Sequence, residues 1–177
     1  MNKQFKSCFH NQKNSCTICG KKNDGKCTLQ PVLADASVIL SKYLEESRTL
    51  EAKDFINTNR HLHRIIVNGL ILGEVLKVIV EEHSRLKEEI NNIMLDLQSF
   101  EYEEINFNNE EFRKLLDVII TAELRCGERD RVHIAVAAYQ GIPFASFDGG
   151  INDGDVPVIN KAIEETGKKF RLYNFKK

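Results

Sequence analysis

Apolar runs too short to be helices alternate with longer segments of helical period, and that alternation most constrains how this chain can fold. VLA at 32–34, RIIV at 64–67 and FASF at 144–147 are strand-sized, and two weaker stretches, Glu101 to Phe107 and Lys169 to Phe175, have the same character. Between them, Ala36 to Glu46 places Val38, Ile39 and Tyr43 on one helical side. Thr49 to Leu62 is polar, a mixture of helix and loop, and Asn68-Gly69 ends the second strand. Asn108 or Asn109 caps a helix from Glu110 to about Leu124. An Ala-rich helix opens at Asp130 and is stopped by Gly141 and Pro143, and a last helix runs from about Val156 to Thr166, closed by Gly167. The order β-α-β-α-β-α-α-β-α-β predicts an α/β fold, a parallel sheet wrapped by helices on both faces.

One segment resists a single reading. From Leu70 to Gln98, Leu72, Val75, Leu76, Ile79, Leu86, Ile90, Ile93, Met94 and Leu97 recur at three and four. As one helix it is about 40 Å long. Its middle, EEHSRLKEEINN, is charged, so the segment either projects or breaks in two. A projecting apolar stripe would serve a homodimer or another protein partner; a packed one would serve the core.

Hydrophobic residues make up 42% and charged residues 29% of the chain, the balance of a folded globular protein. No apolar run approaches the roughly 18 residues of a membrane span, and MNKQFKSCFH lacks the apolar core of a signal peptide; the expected location is cytoplasmic, with no membrane partner. The net charge of −1 conceals a polar distribution. Residues 1–30 carry six Lys against Asp24 alone, and the last ten, KKFRLYNFKK, carry five basic residues and no acid. Basic ends on an acidic body suit a polyanion such as RNA, although terminal lysines also serve solubility.

Cys8, Cys16, Cys19 and Cys27 crowd the N-terminus as C-x7-C-x2-C-x7-C. Cys-x-x-Cys followed by Gly20 is a half-site for tetrahedral Zn²⁺, the flanking cysteines complete it, and His10 is a spare ligand. An iron–sulfur cluster is the alternative four-thiolate reading, and disulfides fit poorly with a cytoplasmic chain. So short a segment buries no core, so metal binding would supply its folding energy. The expected organisation is a zinc-binding module at 1–29 and an α/β domain at 30–177. Cys126, alone beside an apolar helix, reads as an inert core thiol.

The acids point to chemistry. Asp35 follows the first strand, Glu74 lies early in the helix after the second, Asp130 opens the helix before the fourth, and Asp148 follows the fourth. Taken singly, Asp130 is a helix cap and Asp148 a turn residue. In a parallel sheet, however, all four points lie at one edge, where ligands bind. Such a cluster repels itself unless a cation sits among the carboxylates. An oxygen-only set suits Mg²⁺ or Mn²⁺, and metals held this way activate water and steady the leaving oxygen in phosphodiester hydrolysis.

ADASVIL at 34–40, LGEVL at 72–76, DRVHIAVAA at 130–138 and FASFD at 144–148 resemble, in order, the four signature segments of PIN-domain nucleases. The resemblance covers about residues 31–175. It implies a three-layer fold with a five-stranded parallel sheet, and a metal-dependent endoribonuclease whose acids are Asp35, Glu74, Asp130 and Asp148, with Ser37 and Ser146 orienting ligands or water. Related subgroups carry Gly-Glu before the Ala-rich helix, as Gly127-Glu128 here, so Glu128 competes with Asp130; Asp153 or Asp155 could assist Asp148. The N-terminal cysteines depart from the small PIN toxins, and PIN endonucleases of ribosome maturation carry a zinc ribbon after the domain rather than before it. Three functions follow: a nuclease with an RNA-gripping zinc module, a non-catalytic RNA- or protein-binding module, and a toxin held by an antitoxin.

Overall fold

The structure, a computed structural model, describes residues 29–44, 47–59, 61–147, 149 and 151–175. The four N-terminal cysteines, His10 and Asp148 lie outside the described residues. The elements run β1 (Gln30–Ala34), α1 (Ala36–Ser41), α2 (Thr49–Asn57), β2 (His63–Val67), α3 (Gly69–Glu81), α4 (His83–Leu86), α5 (Ile90–Ser99), β3 (Glu101–Tyr102), α6 (Glu110–Thr121), α7 (Glu128–Gln140), β4 (Phe144–Ala145) and α8 (Asp155–Ala162), with a 3₁₀ turn at Glu164–Thr166. The strands form one parallel sheet in the order β3-β2-β1-β4. β1 and β2 lie at its centre, with Gln30 opposite His63 and Leu33 opposite Ile66. All five residues of β2 and the last three of β1 are buried, as central parallel strands require.

The sheet has four strands rather than five. The segment 169–175 adds a single bridge, Phe144 to Leu172, flanked by Phe144 N–H to Arg171 O at 2.9 Å and Tyr173 N–H to Phe144 O at 2.8 Å. A side chain competes for its backbone: Asn160 of α8 accepts from Phe170 N–H at 2.8 Å and donates to Phe170 O at 3.0 Å. Those groups are thereby satisfied without a ladder. The third strand likewise shortens from the expected seven residues to Glu101–Tyr102.

The 70–98 segment breaks into three helices rather than forming one 40 Å rod. The charged middle turns at Glu82 (φ −103°, ψ 23°), and Leu86 drops fully into the core. Asn68 starts the first piece, its Oδ1 accepting from Leu70 and Ile71 N–H at 3.0 and 3.1 Å. Among the described residues no helix is long and apolar enough to cross a membrane.

On the other face α7 packs against α6 and β4. Its alanines Ala135, Ala137 and Ala138 are buried, and their small side chains let the helix approach the sheet. Gly141 closes α7 in the left-handed region at φ 69°, where a side chain would be strained. Arg131 of α7 holds the end of α6: its guanidinium donates to Ile120 O, to Ala122 O at 3.0 Å and to Leu124 O at 2.8 Å. Ile120 O lies in the last turn of α6, where carbonyls lack an intrahelical partner, and Ala122 O and Leu124 O belong to the chain that leaves it. Arg131→Ala is expected to lower stability in urea melts by about 2 kcal/mol, and Arg131→Lys to recover little of it, since an ammonium lacks the fork. A loss within error for both variants would deny the staple its role.

The chain's end is fastened by aromatics. His63 stacks on Phe55 with centroids 4.3 Å apart and 14° between planes, and Tyr173 meets both edge-on. His63 is 3% exposed and neither ring nitrogen makes a hydrogen bond. Burial foremost pushes its pKa below the ordinary 6.5, and the Phe55 backbone acts in the opposite direction. The unfolded chain therefore takes up this proton first as pH falls below 6.5, and the native state loses stability from there down to its own lowered pKa. His63→Phe keeps the stack and removes the proton. Its stability should fall less than the native protein's between pH 6.5 and 5; parallel curves would place the acid sensitivity elsewhere.

Candidate active site

Asp35 leaves β1 at the C-terminal edge of the sheet. Its N–H donates to Ala145 O at 2.9 Å, which ties it to β4. It occupies the N-cap of α1, yet its carboxylate caps no backbone N–H of that helix. Instead Oδ2 accepts from Ser37 Oγ at 2.6 Å and from Ser146 Oγ at 3.1 Å. Ser37 Oγ in turn accepts from Phe147 N–H at 3.1 Å. Both serines singled out in the sequence thus converge on one oxygen of an acid that is 3% exposed. That leaves Oδ1, and no basic side chain forms an ion pair with Asp35 among the described residues.

Asp35, Ser37, Glu74, Lys77, Glu128, Arg129 and Asp130 line one open cleft of about 670 Å³. Glu74 enters it from α3, near His133 Nε2 at 3.4 Å and Arg129 Nε at 3.9 Å. The hydrogen bond from His133, helped by the charge of Arg129, holds the Glu74 carboxyl below the usual range against the opposing effect of burial. Asp130 behaves oppositely. Burial raises its pKa, and the neighbouring charges of Asp35 and Glu74 raise it further, while Gly127 N–H, 3.1 Å from Oδ2, works against them. Burial is the largest of these effects, and the two neighbouring carboxylates add to it. Asp130 is not the cap residue itself: α7 starts at Glu128 with Gly127 as N-cap, and Asp130, two positions into the helix, accepts the Gly127 N–H.

Two assisting acids are not brought here. Asp153 and Asp155 do not line the cleft; Asp155 accepts from Asn152 N–H at 2.9 Å and borders a separate cavity of about 400 Å³ beside Cys126. Cys126 is buried and free, and burial foremost raises its pKa, as an inert thiol requires. The basic tail is also partly engaged elsewhere. Arg171 donates to Gly141 O at 2.7 Å and Lys168 lies 4.8 Å from the Tyr139 ring centre. Both are at the C-terminal end of α7, about 15 Å along the helix from Asp130.

His133 is the residue that sequence reasoning missed. It is 1% exposed, three positions after Asp130, and so belongs to the same side of α7. One carboxylate oxygen from each of Asp35 and Glu74 and one ring nitrogen of His133 all lie within 4.8 Å of one another. A helical D-x-x-H spacing beside an acid cluster was the available signal. The donor set fits a divalent cation: Asp35 has a carboxylate oxygen outside its hydroxyl pair, and the charges of Asp35 and Glu74 both act on Asp130.

Comparison with known proteins agrees with this architecture. No curated protein matches the chain significantly. Among solved structures it is similar to VapC20 of Mycobacterium tuberculosis, a sarcin-ricin loop cleaving toxin, at 13% identity and a TM-score of 0.51, over 67% of this chain and 90% of that one. It is also similar to PAE2754 of Pyrobaculum aerophilum, at 15% identity and a TM-score of 0.50, over 81% and 84%. Identities this low speak for the fold alone. The PIN domain family, in contrast, matches residues 32–156 directly, the span that carries β1, the acid cleft, α7 and β4. By that match the chain belongs to the PIN domain family.

Proposed function

We propose that this protein is a metal-dependent endoribonuclease that hydrolyses RNA phosphodiester bonds. The observation that carries the reading is Asp35: a buried carboxylate, oriented by Ser37 and Ser146 and facing further acids across an open cleft, with no basic partner among the described residues. Burying such a charge uncompensated is costly, and a bound cation offsets the cost. Asp35, Glu74 and Asp130, with Asp148, would hold Mg²⁺ or Mn²⁺. The metal, when bound, supplies an activated water and neutralises charge at the scissile phosphate. Ser37 and Ser146 fix the Asp35 carboxylate. Lys77 and Arg129, on the cleft wall, attract the phosphodiester backbone.

The test is incubation of single-stranded and structured RNA with Mn²⁺ and with chelator. Internal cleavage that needs Mn²⁺ supports the proposal. RNA that binds but stays intact with Mn²⁺ would favour a non-catalytic RNA-binding module. The likeness to a toxin fold keeps an antitoxin partner in view, and co-purification with a small neighbour-encoded protein would favour that assignment.

For the N-terminus we infer one Zn²⁺ per chain on Cys8, Cys16, Cys19 and Cys27, in a module whose lysines aid RNA binding; the support is the ligand spacing. Elemental analysis should return one zinc, and deletion of residues 1–28 should leave a folded domain with a shallower salt dependence of RNA affinity. Iron in place of zinc, or no metal, would overturn the site; an unchanged salt slope would remove its grip on RNA.

A further inference from the structure

We propose that His133 is itself a ligand of the ion, so that the cleft is a mixed nitrogen–oxygen site built on Asp35, Glu74 and His133 and selects a first-row transition ion over Mg²⁺. The inference rests on the nuclease reading above and deepens it.

Three observations carry it. The ligand atoms of the three residues lie within 4.8 Å of one another. The His133 ring is buried, Nδ1 has no hydrogen-bond partner, and Nε2 stands 3.4 Å from Glu74 Oε2. A charge-assisted N–H to carboxylate bond closes to about 2.7–2.9 Å when geometry permits. Two ligands bound at about 2.1 Å to one ion, at 90° to 109°, are instead about 3.0–3.4 Å apart. The observed gap is longer than a short charge-assisted bond and lies within the spacing of two neighbours on one ion. Finally, the ring has little freedom to turn away: it lies 5.8 Å from the Phe144 ring, on a helix whose next five residues are buried.

The chemistry then differs from an all-acid cleft. Mg²⁺ takes oxygen ligands and gives up its waters reluctantly, so an imidazole contributes little to its binding. Later divalent ions accept imidazole readily. The position of His133 in the first two turns of α7 therefore bears on which metal the protein uses.

Pulsed electron paramagnetic resonance of the full chain with one equivalent of Mn²⁺ tests this. A directly bound ring nitrogen produces a ¹⁴N coupling, which should vanish in His133→Gln. The variant should bind Mn²⁺ at least about tenfold more weakly, with a smaller change for Mg²⁺. If His133→Gln does not fold, Asp35→Asn provides the assignment: emptying this cleft should abolish the nitrogen coupling, and its persistence would place the nitrogen elsewhere and overturn the inference. Mn²⁺ that binds and supports cleavage without nitrogen coupling overturns the ligand role alone and leaves the nuclease standing. No Mn²⁺ binding at this cleft overturns both.

Discussion

Asp35→Asn is expected to reduce Mn²⁺-dependent RNA cleavage by at least about 10²-fold, the scale on which removing one group aimed at developing charge acts in other enzymes. The side chain is nearly isosteric, and its amide oxygen can still accept from Ser37 and Ser146, which now meet at Oδ2. Folding should therefore survive. In chelator, the variant should melt within about 1 kcal/mol of the native protein, since the hydrogen bonds persist and like-charge repulsion with Asp130 is relieved. The stabilisation by Mn²⁺ should separate them. A ligand at a hundred times its dissociation constant adds about 2.7 kcal/mol to the native state; that increment should be present in the native protein and absent in Asp35→Asn. Full cleavage by a folded Asp35→Asn protein would falsify the assignment of this cleft as the active site.

The second large effect concerns the third acid. Asp130→Asn should lower cleavage by about 10²-fold on the same reasoning, and Glu128→Gln should remain near native activity. Both residues line the cleft, but Glu128 is exposed at the first position of α7, whereas Asp130 lies close enough to Asp35 and Glu74 for their charges to raise its pKa. The pH dependence gives an independent readout. With a folded pKa above the ordinary 3.8, Asp130 favours the native state while protonated. That contribution is complete below 3.8 and is lost as pH rises through the raised folded value. In chelator, Asp130→Asn should remove this loss and be the more stable protein at neutral pH, with the Gly127 N–H still satisfied by the amide oxygen. A dead Glu128→Gln beside an active Asp130→Asn would transfer the role to the Gly-Glu pair at 127–128.

The sequence by itself determined the features whose physics is local. Period and length placed β1, β2, α6 and α7, because a buried parallel strand must be apolar on both faces and a surface helix on one. Asp35 was legible as an acid at a strand end, and Ser37 and Ser146 through the resemblance to PIN-domain nucleases. The tertiary structure decided what depends on competition between distant groups. Periodicity could not show that the apolar stripe from Leu70 to Gln98 breaks at Glu82, since that depends on the burial of Leu86 in a core contributed by other elements. The last strand gives way to a bridge because Asn160, ten residues earlier, satisfies the Phe170 backbone first. Glu74 and His133 lie 59 positions apart and meet only because α3 and α7 both reach the same edge of the sheet. Read along the chain, His133 is a polar interruption in an alanine helix; the packing of two helices turns it toward the acids.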